Sequence, residues 1–430
     1  MLKRELEIGI NKFLLNKISE KIIKDFGTTY SKLSFTDSIF IIMLLYLSKK
    51  DNTPYYKDTI FKVLTNPTEL SKCNIQRKKI YIYEELLNII KEKLANKKIL
   101  LNQSELIEHI IIDYISTPVS DYTDNISPLY TMIGYKNKCM QKCTSNSVEK
   151  IIPKLNLPTS EITLIDGCCG TGSLFLGLKT YNWKNVILND LNPLRTNFLN
   201  VLKTKPLKLI KLILEADLTF INEPNTKNPK LSEFKTNIEA YKEKRKNYKK
   251  VDCNEQIAFE MFIVQCIDKH YIEQADRIIK RVINFIVAHI KLQNATITQI
   301  DCLKYVENDD TSKLLLLDVP YIGSEDQCGI SGYNYKKFHK NLADSLLSAE
   351  YKFLYNCRSS APKSDTPKSD KGYTKEDGEH IMKMKLGEYF FNKGYYFEKV
   401  HLKKDTELII SNIEYSDRQF QWHNFDFNIL

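Results

Sequence analysis

The sequence predicts an α/β protein built on a doubly wound, mostly parallel sheet. Three observations carry that prediction. A short apolar run, Ile162 to Ile165, ends in a glycine-rich turn, and a helix and a second run, Val186 to Leu188, follow it. Four consecutive leucines, Leu314 to Leu317, end in Asp318 and fit a central strand buried on both faces. Two late runs, Tyr395 to Leu402 and Glu407 to Asn412, fit an antiparallel hairpin at the sheet edge.

Residues 1–117 read as an N-terminal helical accessory domain. Apolar residues recur there at helical spacing through Leu6, Ile10, Phe13 and Leu14, and again through Tyr83, Leu86, Leu87 and Ile90. Residues 118–222 hold the first half of the sheet. A helix of about ten residues is expected from near Gly172, and a second runs to about Lys203, with Asn192 as N-cap and Pro193 as its first residue. Residues 223–292 interrupt the alternation as a helical insert. Within it, Tyr241 to Lys250 carries six bases against one acid, Glu243. Residues 293–430 resume the strands at Ala295 to Ile300, at the leucine run and at Phe353 to Asn356. A Pro-Lys-Ser-Asp repeat between Ala361 and Lys371 reads as a loop, with a helix near 375–392 after it.

Composition narrows the class. The 430 residues suggest two or three domains, and 43% hydrophobic with 27% charged residues suffices for a sizeable core. The longest uncharged apolar run, Ser38 to Leu47, is too short to cross a bilayer, and no signal-peptide pattern opens the chain. Ten cysteines without a C-x-x-C pair point to a reducing, cytoplasmic setting. Cys139 and Cys143 have no matching Cys/His pair, so no metal site is expected. Subtracting 53 acids from 63 bases leaves +10, a weak pointer to a polyanionic partner.

Two turns carry chemistry. In Asp166-Gly167-Cys168-Cys169-Gly170-Thr171-Gly172, a strand ends in a carboxylate and the glycines let a ligand approach the backbone. Asp190 ends the next strand, where an acid is placed to accept hydrogen bonds from ribose hydroxyls. The turn lacks both G-x-G-x-x-G and a P-loop lysine, and its acid would repel a pyrophosphate. It suits a nucleoside cofactor with a cationic end, such as S-adenosylmethionine. The second turn is Asp318-Val319-Pro320-Tyr321. Its carboxylate and the Val319 carbonyl can accept two hydrogen bonds from an amino group, and the Tyr321 ring can stack on a planar base.

Through these turns the chain resembles the Dam-type DNA adenine methyltransferases, the alpha-ordered class. The family's opening P-x-x-x-x-x-G-x-K matches Pro128, Gly134 and Lys136. Its cofactor loop matches Asp166, Gly170 and Gly172, and its N-D-x-N is met by Asn189-Asp190-Leu191-Asn192. Asp301 precedes the D-P-P-Y-like turn by 17 residues, and Glu407 to Asn412 matches the late E-L-x-I-x-N strand. The resemblance spans about three fifths of the chain, roughly 125–222 and 252–415. The chain departs from the family at Val319, where the first proline of D-P-P-Y is usual. It departs also at Gly167 and Cys168 in the cofactor loop, and at Met132 and Tyr135 in the opening motif.

The resemblance implies a Rossmann-like S-adenosylmethionine-dependent fold: a seven-stranded mixed sheet with a late antiparallel hairpin, an N-terminal helical domain and a helical insert. It implies methyl transfer to the exocyclic amine of adenine in DNA, without a metal and away from membranes. Asp318, Val319, Pro320 and Tyr321 would then be catalytic. Lys136, Asp166, Gly170, Gly172, Asp190 and Asp301 would hold the cofactor. Lys242, Arg245, Lys246 and Lys249, in the slot of the target-recognition region, would grip DNA, and companion restriction or defence proteins are implied as partners. Asp190→Ala is expected to weaken cofactor binding, and Gly172→Val to block the cofactor's approach path. A catalytically silent DNA-binding subunit and an RNA or protein-amide methyltransferase share the same pattern.

Overall fold

A computed structural model describes residues 3–49, 75–96, 101–123, 126, 129, 147–216, 240, 253–267, 275–320, 333, 335–358, 395–401 and 406–413. Lys136, Tyr321, the basic run Lys242 to Lys249, the 361–371 loop and the expected helix near 375–392 lie outside these residues. The chain forms two compact units. One comprises 1–124, 202–228 and 273–293, and the other 125–201, 229–272 and 294–430.

The first unit corrects the all-helical expectation. Strand β1 (Lys3–Asn11) pairs antiparallel with β2 (Ile75–Tyr83), with Leu6 opposite Ile80 and Ile8 opposite Lys78. Strand alternation explains the pairing. Leu6, Ile8, Ile10, Ile80 and Ile82 all turn inward and are buried, whereas Glu5 and Glu7 face solvent. On the outer face the Lys79 ammonium lies 2.8 Å from Glu5, and the Tyr81 hydroxyl donates to the same carboxylate at 2.7 Å. These exposed contacts add little stability, so the buried isoleucines hold the sheet in place.

Helices fill the rest of that unit. The helix Phe35–Ser48 starts at Ser34, whose hydroxyl accepts from the Asp37 N–H at 3.1 Å. Every residue from Ser38 to Tyr46 is buried, so the uncharged run is a central core helix, apolar all round. Among the described residues, no helix is long and apolar enough to cross a membrane. The helix Gln103–Ser116 opens on a capping box between Asn102 and Glu105 and packs on the central helix.

The helix Ala275–Leu292 also packs there and carries a buried imidazole, His289. Its Nδ1 donates to the Leu202 carbonyl at 3.0 Å. Its Nε2 is then the acceptor for the Tyr30 hydroxyl at 2.7 Å and the Gln293 amide at 3.2 Å. Burial pushes its pKa down to about 4. A depressed imidazole pKa means that the unfolded chain binds the extra proton first. We therefore predict that stability falls as pH drops from about 6.5 to about 4, by roughly 2–3 kcal/mol, and that this contribution is constant above that window. Denaturant midpoints for wild type and His289→Gln across pH 4–7 check it. Parallel curves would remove the assignment.

The second unit holds the mixed α/β sheet. Its strands are β3 (Thr163–Asp166), β4 (Asn185–Asn189), β5 (Ala295–Thr298), β6 (Lys313–Asp318), β7 (Lys352–Arg358), β8 (Tyr396–His401) and β9 (Thr406–Ser411). They lie in the order β5–β4–β3–β6–β7–β9–β8. All neighbours from β5 to β7 are parallel, and β9 runs antiparallel to both β7 and β8. Such a mostly parallel sheet with helical connections is compatible with a Rossmann-like fold.

Strand β6 sits between β3 and β7, and Leu314 to Leu317 are all buried. Alternation sends Leu315 and Leu317 into a core with Phe353, Tyr355, Ile410 and the helix residues Phe338, Leu342 and Leu346, and sends Leu314 and Leu316 to the other face. Two-sided burial is why this strand reads as an unbroken leucine run. Its first residue, Lys313, is buried and donates to the carbonyls of Tyr305 and Asn308 beneath the Tyr351 ring. Burial lowers its pKa to about 8.

Candidate functional site

The strand order reverses between β3 and β6, and ligands of doubly wound sheets bind beyond the carboxyl ends at such a point. Asp166 closes β3 and Asp318 closes β6, two residues beyond the partner of Asp166 in the register, Leu316. Asp190 follows the end of β4, and Asp301 follows β5. The sheet therefore gathers four of the expected carboxylates along one edge. A cavity of about 270 Å³ lies instead at the amino ends of β3, β4 and β6, lined by Thr163, Asn185, Thr296, Tyr305, Asp310 and Lys313. It is at the wrong end of the strands for these acids.

The turn after β3 is held by backbone and amide bonds. The Gly167 N–H donates to the Leu316 carbonyl at 2.8 Å, and the Cys169 N–H donates to the Asn189 carbonyl at 2.8 Å. The Asn189 amide donates to the carbonyls of Gly167 and Ile300 at 2.9 Å each, and its oxygen accepts from the Thr298 hydroxyl and the Ile300 N–H. This one buried side chain ties three loops together. Beside it, the Cys168 thiol donates a hydrogen bond to the Cys302 sulfur, and that bond and then burial push the Cys168 pKa up, so Cys168 is protonated at neutral pH.

Gly170 and Gly172 both take positive φ, 55° and 69°, which explains the two glycines. The helix after them is shorter than expected, Ser173–Gly177, and Leu178 leaves it in an extended conformation. Gly177 and the polar stretch behind it offer nothing to prolong it. A Cβ at Gly172 would lie 3.4 Å from Leu199 Cδ2 and 3.7 Å from Leu176 Cδ1. It points into apolar packing, which corrects the expectation of a blocked cofactor path. We predict that Gly172→Ala costs about 1–2 kcal/mol through backbone strain and that Gly172→Val costs more. Thermal or denaturant unfolding without any ligand checks this, and an unchanged midpoint for Gly172→Val would sink it.

Asp190 is buried, and its carboxylate is already engaged. One oxygen accepts from the Gly170 N–H at 2.9 Å and from Arg195 Nη1 at 3.2 Å. The other accepts from the Asn192 N–H at 2.8 Å. Arg195 comes from the first turn of the helix Pro193–Thr204, which Asn192 opens by accepting the Leu194 N–H at 2.9 Å. The sequence reading missed Arg195. Its place in the first turn of a helix that starts beside a strand-ending acid makes it a candidate, but spacing alone does not give the direction of its side chain.

Asp301 is occupied as well, by the Leu303 N–H at 3.0 Å and the Tyr333 hydroxyl at 2.6 Å. Desolvation and that carboxylate hold Tyr333 far above the usual phenol range, so its hydroxyl stays a donor. At the other turn, Asp318 and Pro320 are half-buried, while the Val319 side chain is buried in the core with Leu317 and Phe338. Val319 thus anchors the turn through packing.

The arrangement fits a nucleoside with a cationic end only in part. The acid-rich edge favours positive charge, and Gly170 presents backbone without a side chain at the turn. A carboxylate offers about four acceptor positions, however, and the chain itself fills three of those on Asp190. Among the described residues no cluster of His, Cys, Asp and Glu is placed to hold a metal ion. No protein-family profile matches the chain, and no curated protein matches it.

Proposed function

We propose that the chain transfers a methyl group from S-adenosylmethionine to the exocyclic amine of adenine in DNA. The observation that carries the reading is the convergence of Asp166, Asp190 and Asp318 on the carboxyl edge of one parallel sheet, at its switch point. The finer fold reading, a methyltransferase sheet with a late antiparallel hairpin, is supported by β9 lying between β7 and β8. The sulfonium supplies an electrophilic methyl group and a good leaving group when the cofactor is bound. Asp166, Gly170, Gly172 and Asp190 would hold it, with Lys136 and Asp301 in the roles the resemblance gives them.

The chain's own contribution is orientation. An exocyclic amine is a poor nucleophile because its lone pair is delocalised into the ring. The Asp318 carboxylate and the Val319 carbonyl would accept its two N–H bonds and favour a pyramidal nitrogen. Tyr321 would stack on a base extruded from the duplex. The insert, with Lys242, Arg245, Lys246 and Lys249, would grip phosphates, and restriction or defence proteins would be companions.

A second reading, a catalytically silent DNA-binding subunit, is favoured by the occupied Asp190. Incubating the chain with isotope-labelled S-adenosylmethionine and adenine-unmethylated DNA, then digesting and weighing the nucleosides, separates the two. Labelled N6-methyladenine supports the first reading. DNA binding without label in DNA, RNA or protein supports the second.

A further inference from the structure

We infer that Arg195 sets the ligand affinity of this site by competing with the ribose hydroxyls for Asp190. The inference rests on the proposed cofactor reading and adds to it a residue that the motif pattern does not contain. Ribose presents two adjacent hydroxyls, and a carboxylate holds both best when each of its oxygens has a free acceptor position. On Asp190 one oxygen carries both Gly170 N–H and Arg195, and the other carries Asn192 N–H.

The two backbone donors are built into the turn and cannot withdraw without unmaking it. The guanidinium can. It sits at the end of a long side chain, 15% exposed, against a carboxylate side chain only 6% exposed. Nη1 lies 3.2 Å from the oxygen, long for a charge-assisted bond. Arg195 is the one side-chain donor of the set, so it can turn aside without unmaking the turn, and a ribose takes both oxygens only as it does so. Its withdrawal costs the ion pair among its contacts, so the site binds an uncharged ribose more weakly than the bare carboxylate would.

The test is calorimetric binding of S-adenosylmethionine and of S-adenosylhomocysteine to wild type, Arg195→Met and Arg195→Lys, alongside unfolding curves without ligand. Arg195→Met is expected to bind both about 10- to 100-fold more tightly, the scale of one charge-assisted hydrogen bond. Arg195→Lys keeps the charge as a compact ammonium on a shorter stem and is expected to fall between. It is the arm that keeps the question open should the methionine variant unfold. Equal or weaker binding by folded variants, with wild type binding normally, overturns the competition and leaves the cofactor reading standing. Binding by none of the three overturns the cofactor reading and this inference with it.

Discussion

Asp318→Ala is expected to lower methyl transfer to DNA by at least roughly 10²–10³-fold while leaving S-adenosylmethionine affinity within about twofold of wild type. The split follows from where the residue sits. Asp318 ends β6, whose four leucines are buried, and Val319 behind it is locked into the same core. The carboxylate is thus delivered to the sheet edge on a rigid strand, which is what an orienting group needs. Its proposed partner is the substrate amine, so its loss is felt in the transfer step rather than in cofactor binding. Asp318→Asn keeps the shape but turns one acceptor into a donor facing an N–H, and it should be nearly as impaired. Single-turnover transfer and calorimetry on the same preparations check the pair of effects. A variant that loses cofactor affinity in step with rate would place Asp318 in the cofactor pocket instead.

The sheet was legible because its strands are short apolar runs closed by acid or glycine, and parallel strands buried on two faces need no alternation to be recognised. The N-terminal strands were misread for a specific reason. Leu6 and Ile10 are four residues apart, which fits one face of a helix and also alternate positions of a strand. Ile8 decides between them, since it would face away on a helix and is buried here. Its partner strand is some 70 residues downstream, too distant for any local pattern to announce. At the site, the residue types and their order were legible, but the closure of Asp190 by Arg195 was not. An ion pair between a strand end and the first turn of the next helix is a fact of three-dimensional direction, and motif spacing records only order. The same holds for Gly172: positive φ was foreseeable from a glycine turn, whereas the direction of its missing Cβ toward Leu199 depends on how the helix Pro193–Thr204 packs.

Asp190→Ala should destabilise the protein before any ligand is added, by about 3–5 kcal/mol. The buried carboxylate is the common acceptor for two backbone N–H groups and a guanidinium. Removing it strands both N–H groups away from water and leaves Arg195 without that counter-ion. Each stranded donor carries its own desolvation cost of about 1–3 kcal/mol, part of which the guanidinium recovers by reaching toward solvent. The turn that presents Gly170 would loosen together with the start of the helix Pro193–Thr204, because both are pinned to the same two oxygens. A loss of cofactor affinity in this variant would then report an unmade turn as much as a missing ribose contact. Asp190→Asn separates the two. Its amide oxygen still accepts from one side while its NH₂ faces a donor, so it should cost less stability than alanine. Arg195→Met should cost less again, because both backbone bonds survive. Ligand-free denaturant unfolding of the three variants, ranked Ala, Asn, then Met from most to least destabilised, is the expected result. If Asp190→Ala unfolds at the wild-type midpoint yet has lost S-adenosylmethionine binding, the carboxylate serves the ligand alone and the turn stands without it.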